Sequence, residues 1–364
     1  MLVVSLLVVL LVTDRLTPQS HPSTPAVFPG ESWTWKTPEA AGFSSQKLAE
    51  FSEKYVGTGA IVHGGEMIHS WGRIYRRSDV ASVVKPFYTH FVLKAIEKGL
   101  IESLETPLLQ WVPELGTLNP DLGYKDRDIT FHHLLSQTSG YGLIERPGET
   151  FAYNDFATGL LAWALLYRVY GLPPKRYNDL LNGPDLGEIL GFEDSPTLTH
   201  PNSIRGRLRI SMRDLARFGL LYLREGQWEG NVLLREDLFN LALREPLPPG
   251  FPRTSGKEAE ILDRVRSIGG EGNEKGHGGS LGYFWWFNRI GLDGKPFFPA
   301  APPKTFVASG HGGYFAMVVI PELDLVMVWN IATRHRVERW SPFDEVGRYH
   351  VNDMIREVMA ARTN

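Results

Sequence analysis

The 364-residue chain contains no cysteine, which excludes disulfides, thiolate nucleophiles, thiolate metal sites and a lipid-modified N-terminal cysteine. It also lacks an excess of charge. The formal charge is -3 and no basic run is dense enough to track a phosphate backbone, so no nucleic-acid partner is expected. A membrane-length apolar run is missing too. Met1 to Val12 is almost wholly apolar, too short for a full span but suited to the core of a signal peptide. No Lys or Arg precedes it and no clean Ala-x-Ala site follows, so an export signal and a retained anchor both fit. The expected location is periplasmic or secreted, with cytoplasmic or membrane-anchored as alternatives, and any membrane association runs through this segment alone. Repeats are absent. The adjacent His132 and His133 face different directions and no carboxylate–histidine motif accompanies them, so neither a metal nor another cofactor is expected.

What is present organises around a split sheet. Thr17 to Gly30 carries four prolines and reads as a linker. Ser44 to Tyr55 reads as a helix. Gly59 to His63 and Glu66 to Gly72 read as two strands turned by Gly64-Gly65. Leu104 to about Gly250 is helical with loops, clearest at Phe156–Tyr170 and Met212–Glu225, and Phe251–Gly282 is a long polar loop that borders a site. Tyr283–Asn288, Phe306–Ser309, Tyr314–Ile320 and Leu325–Asn330 read as strands, and Val351–Ala361 as a closing helix. The expected class is α+β: an antiparallel sheet built from both termini and flanked by helices, with an inserted all-helical lobe. In residues, 1–30 is a signal or anchor segment with its linker, 31–103 plus 283–364 the sheet domain, and 104–282 the helical lobe. A cleft between the two suits a small-molecule site.

Ser82-Val83-Val84-Lys85 opens the longest amphipathic run of the N-terminal half, with Phe87, Phe91, Val92, Ala95, Ile96 and Leu100 at helical spacing. A serine at a helix start, one turn from a lysine on the same face, suits a lysine-activated nucleophile. The same tetrad at Ser44-Ser45-Gln46-Lys47 is better read as a helix cap. Because a free lysine has a pKa of about 10.4, Lys85 needs either desolvation or a tyrosine that it holds as phenolate. Of three Tyr-x-Asp matches, Tyr124 and Tyr177 read as surface residues. Tyr153-Asn154-Asp155 stands on a turn before a strongly apolar helix. An oxyanion hole calls for a glycine-bearing strand edge beside Ser82. Of His-Gly-Gly at His63, His277 and His311, only His311-Gly312-Gly313 leads straight into an apolar strand.

In this order the three motifs resemble the serine β-lactamase-related, penicillin-binding-protein-like hydrolases, on the class C β-lactamase and esterase side. Ile129–Gly140, Pro147-Gly148, Asp214–Leu223, Leu281–Trp286 and Pro321–Leu325 look like family segments, and the resemblance covers about residues 33 to 361. It implies a β-lactamase/transpeptidase-like fold in which Ser82 is acylated, Lys85 is its partner and Tyr153 the general base and acid. It further implies an oxyanion hole from the Ser82 and Tyr314 N–H groups, and substrate contacts from Asp155, Gly312, Gly313 and Trp285. The Tyr283–Trp286 run resembles the aminohexanoate-oligomer hydrolases, and its aromatics read equally as core or as substrate wall. Three departures stand out: Asp155 where the family usually has Asn, His311 in place of a lysine, and Pro86 after the nucleophile's lysine. His311 and Pro86 point away from an efficient β-lactamase and toward hydrolysis of small esters or amides. The alternatives are acyl transfer, D-amino-acid peptidase or β-lactamase activity at the same site, and a non-catalytic binder of cell-wall fragments. Retention of Ser82, Lys85 and Tyr153 together argues against the last.

Overall fold

The computed structural model describes residues 26–198, 207–244, 247–262, 279–331 and 348–363. The expected signal or anchor segment and His277 lie outside them. Among the described residues no helix is long and apolar enough to cross a membrane.

The expected hairpin is present: β1 (Thr58–His63) and β2 (Glu66–Trp71) are joined by Gly64 and Gly65, whose φ of 65° and 85° suit glycine. Short ladders pair β3 (Ser78–Asp79) with β4 (Arg209–Ile210) and β5 (Gln227–Trp228) with β6 (Asn231–Val232). The last strands are β7 (Trp286–Phe287), β8 (Phe306–Gly310), β9 (Phe315–Ile320) and β10 (Leu325–Asn330). Together they form one antiparallel six-stranded sheet in the order β2-β1-β10-β9-β8-β7. β1 meets β10 with Thr58 opposite Asn330 and His63 opposite Leu325, so both ends of the described chain share the sheet.

The helices are α1 (Ser45–Lys54), α2 (Lys85–Glu97), α3 (Phe131–Leu135), α4 (Asp155–Trp163), α5 (Tyr177–Leu181), α6 (Gly187–Leu190), α7 (Met212–Leu223), α8 (Glu236–Ala242) and α9 (Arg348–Ala360). α1 and α9 cover one face of the sheet, over Ala316, Val318, Ile320, Met327 and Trp329. Met317, Val319, Val326 and Val328 point the other way into the larger core. Burial on both faces is why β9 and β10 read as unbroken apolar runs.

Its sequence position puts α7 within the expected helical lobe, 104–282, but it packs across β1, β9 and β10. Gly219 permits this: a Cβ there would come within 2.6 Å of Val326 Cγ1. Other expectations shift locally. The strand expected at Tyr283–Asn288 shrinks to Trp286–Phe287, because Phe284 turns with φ 64°. Leu100 lies beyond the end of α2 and is exposed. The helix from α4 continues as a π-helix over Ala164–Val169.

Candidate active site

Ser82 does not begin an α-helix. It lies in a 3-10 turn, Ala81–Val84, that feeds α2 at Lys85. Pro86 falls in the first helical turn, where a missing N–H costs nothing. Ala81, just before the serine, has φ 47°, an uncommon conformation for a residue with a Cβ. Asp79 holds it there by accepting the Ala81 N–H at 2.8 Å, and the other Asp79 oxygen pairs with Arg207.

Lys85 is the hub. Its ammonium donates to Ser82 Oγ at 2.8 Å, Tyr153 Oη at 2.8 Å and Asp155 Oδ1 at 2.9 Å. Three acceptors match three ammonium protons. The residue is 3 % exposed. Burial pulls its pKa down, but the Asp155 carboxylate and the Tyr153 oxygen outweigh burial and hold it above the usual lysine value. The Nζ also lies 4.3 Å from the centre of the Tyr153 ring.

Tyr153 precedes α4, whose N-cap is Asn154: its Oδ1 accepts from Phe156 N and Ala157 N. Asp155 opens the helix, where a carboxylate complements the dipole. The Tyr153 ring is half-buried, 6.1 Å from that of Trp286.

The third motif reaches the serine through Gly310, the last residue of β8. A Cβ on Gly310 would lie 3.0 Å from Ser82 N and from Val80 O, so strand and nucleophile turn meet backbone to backbone. His311, Gly312 and Gly313 then turn the chain with φ of 45°, 62° and 86°. The Tyr314 N–H, expected in the oxyanion hole, donates to His311 O at 3.4 Å, a long bond. His311 is exposed, and the partial burial of its ring together with Arg207 pushes its pKa below 6.5 against Asp79 and Asp155. This favours the neutral imidazole.

Trp285 is not brought to this site. It is fully buried, with its ring 4.9 Å from Tyr222 and 5.1 Å from Phe306, a core side chain. Tyr283 is buried as well, its hydroxyl on Arg244 and His132.

The competing motifs resolve as structure. Ser44 caps α1 by accepting from Lys47 N, and His63 ends β1. Tyr124 is exposed, but Tyr177 is fully buried rather than a surface tyrosine. Beside Tyr124, Lys125 and Asp126 are an ion pair with no exposure, completed by Gly140 O and Asn119. Of the expected polar loop, Phe251 to Leu262 lies alongside Gly142–Phe151, with Phe151 N on Pro252 O and Ala259 N on Gly142 O.

The sequence pattern of the Beta-lactamase family matches residues 52–341. The chain therefore belongs to this family, a serine-hydrolase family in which esterases and β-lactamases share one fold. A stretch of 83 residues is 32 % identical to the esterase EstB of Burkholderia gladioli. That stretch is 22 % of this chain and spans only 20 % of the esterase's length. Among solved structures, a candidate 6-aminohexanoate-dimer hydrolase from Bacillus anthracis superposes with a TM-score of 0.57 at 16 % identity, covering 92 % of this chain and 90 % of that one. EstCE1, a hydrolase with promiscuous acyltransferase activity, superposes at 0.56 with 15 % identity over 86 % and 98 % of the two chains. At such identities the likeness concerns the fold, which is β-lactamase/transpeptidase-like as expected.

Proposed function

We propose that this protein hydrolyses small esters or amides through an acyl-Ser82 intermediate. The carrying observation is that one ammonium, Lys85 Nζ, contacts Ser82 Oγ, Tyr153 Oη and Asp155 Oδ1 at once. Held charged by Asp155, Lys85 is not the base. It stabilises negative charge on the Tyr153 oxygen, and Tyr153 takes the serine proton as Ser82 Oγ attacks the carbonyl carbon. That proton passes to the departing alcohol or amine, and water then reverses the sequence to release the acid. The Ser82 and Tyr314 N–H groups receive the oxyanion. The Tyr314 bond to His311 O is weak enough at 3.4 Å to be exchanged for it. Gly312 and Gly313 border the substrate, and the partly exposed Asp155 faces it beyond Lys85. A neutral His311 offers a hydrogen bond rather than a fixed charge, which disfavours gripping a β-lactam carboxylate.

Time-resolved intact mass spectrometry with p-nitrophenyl acetate and a penicillin, beside Ser82→Ala, tests this. The expected result is a transient acetyl adduct with the ester, little with the penicillin, and none on the variant. A labelled Ser82→Ala protein refutes the assignment. An alcohol acceptor added to the same reaction separates transfer from hydrolysis through the product formed.

A further inference from the structure

Tyr153 has to present its hydroxyl to Lys85 and Ser82, and its partly buried ring packs against the core on the α1–α9 side of the sheet, 6.1 Å from Trp286. The backbone that carries the ring sets its aim as well. A tilt of roughly ten degrees at its Cα moves the hydroxyl by about 1 Å, and a displacement of about 1 Å can cost on the order of a hundredfold in rate.

The N–H groups of the residues on either side of Tyr153 end on one residue. Gln137 accepts the Ala152 N–H on its backbone carbonyl at 2.9 Å and the Asn154 N–H on its side-chain Oε1 at 2.6 Å. Its own side chain is folded back and fixed, with Nε2 donating to Leu134 O at 3.0 Å. Gln137 is 1 % exposed and has φ 60°. A long polar residue is thus held in an uncommon backbone conformation that points both its acceptors at the same short segment. Asn154 completes the grip from the other side, with Nδ2 on Tyr141 O at 2.7 Å while its Oδ1 caps α4. The Phe151 N–H is taken by Pro252 O. Low dielectric around these groups makes each bond costly to break.

We propose that Gln137 is a positioning residue for Tyr153: with Asn154 it fixes the flanking residues so that the phenol meets Lys85 and Ser82. The inference rests on Tyr153 being the proton acceptor. Gln137 touches neither substrate nor nucleophile, and its effect passes entirely through the tyrosine.

The test compares Gln137→Met, which removes the side-chain acceptor at similar length, with Gln137→Glu, which keeps an acceptor, and with Tyr153→Phe. All are assayed with p-nitrophenyl acetate after thermal unfolding shows that they are folded. Gln137→Met should lower kcat about 10- to 100-fold with KM nearly unchanged. Gln137→Glu should recover most of the rate. In the Tyr153→Phe background, Gln137→Met should add little, because the group it positions is gone. If Tyr153→Phe is slow while Gln137→Met keeps the wild-type kcat, or if the two losses add, the inference fails alone. If Tyr153→Phe acylates like the wild type, the role given to Tyr153 fails, and the inference with it. Should Gln137→Met not fold, Asn154→Asp carries the test. It keeps the cap, loses the bond to Tyr141 O, and should show the same kcat loss at nearly unchanged KM; an unchanged kcat would overturn the proposal.

Discussion

Gly310→Ala puts the meeting of β8 and the nucleophile turn under direct load. The new methyl would lie 3.0 Å from Ser82 N, 3.0 Å from Val80 O and 3.2 Å from Ala81 Cβ, each a few tenths of an ångström inside ordinary contact. Two of these atoms are backbone, and the third belongs to a residue already at φ 47°. β8 cannot slide freely, because it is paired to β7 and β9. Relief must therefore come from moving the serine. Overpacking of this kind costs about 1–3 kcal/mol, and the lower end applies where a turn can give slightly. A displaced nucleophile should lower acylation about 10- to 100-fold. Stopped-flow release of p-nitrophenol reads acylation, and thermal unfolding reads the packing cost. Gly310→Ala that acylates at the wild-type rate with an unchanged midpoint would refute the claim that this contact sets the position of Ser82.

Two further outcomes follow from charge. Asp155→Asn removes the carboxylate that keeps Lys85 above its usual pKa, leaving burial to pull it down. The alkaline limb of the kcat profile should then begin at lower pH, and an unmoved limb would exclude Lys85 as the group titrating there. His90 is buried in α2, its Nε2 on Asp185 O at 3.0 Å and its Nδ1 without a hydrogen-bond partner among the described residues. Burial, with Lys94 adding to it, depresses its pKa from 6.5 to about 4. The neutral ring is favoured in the fold, so its stabilisation is complete above 6.5 and is lost as pH falls toward 4. At about 1.4 kcal/mol per pH unit the loss amounts to a few kcal/mol. His90→Gln should flatten this part of the urea-unfolding stability profile between pH 7 and 4.5, and parallel profiles would contradict it.

The parts legible in the sequence share a local cause. Gly64-Gly65 can turn a hairpin whatever surrounds it, and Ser44 caps α1 through a bond three residues long. Ser82, Lys85 and Tyr153 were found because their chemistry requires particular residue types in order. What escaped depends on partners far along the chain. Nothing in the pattern of Met212–Leu223 says that Gly219 lets it lie on the sheet. Trp285 and Tyr177 look alike as exposed or core aromatics until a neighbour covers them. Lys125–Asp126 reads as surface charge because burial of an ion pair depends on Asn119 and Gly140 O. Gln137 leaves no periodic trace; only its acceptors, converging on Ala152 and Asn154, reveal it.

The pairing of β1 with β10 also bears on how the molecule reaches its fold. These strands come from opposite ends of the described chain, so the central ladder closes a very large loop, and contacts of such sequence separation form late and slowly. β8 meets Ser82 through that same sheet. The hairpin β1–β2 and the helices after α2 can form early from local contacts, but the serine acquires its glycine wall only when the last strands dock. During refolding, helical signal should therefore return before acylation by p-nitrophenyl acetate, and reactive serine should appear in the same slow phase as sheet completion.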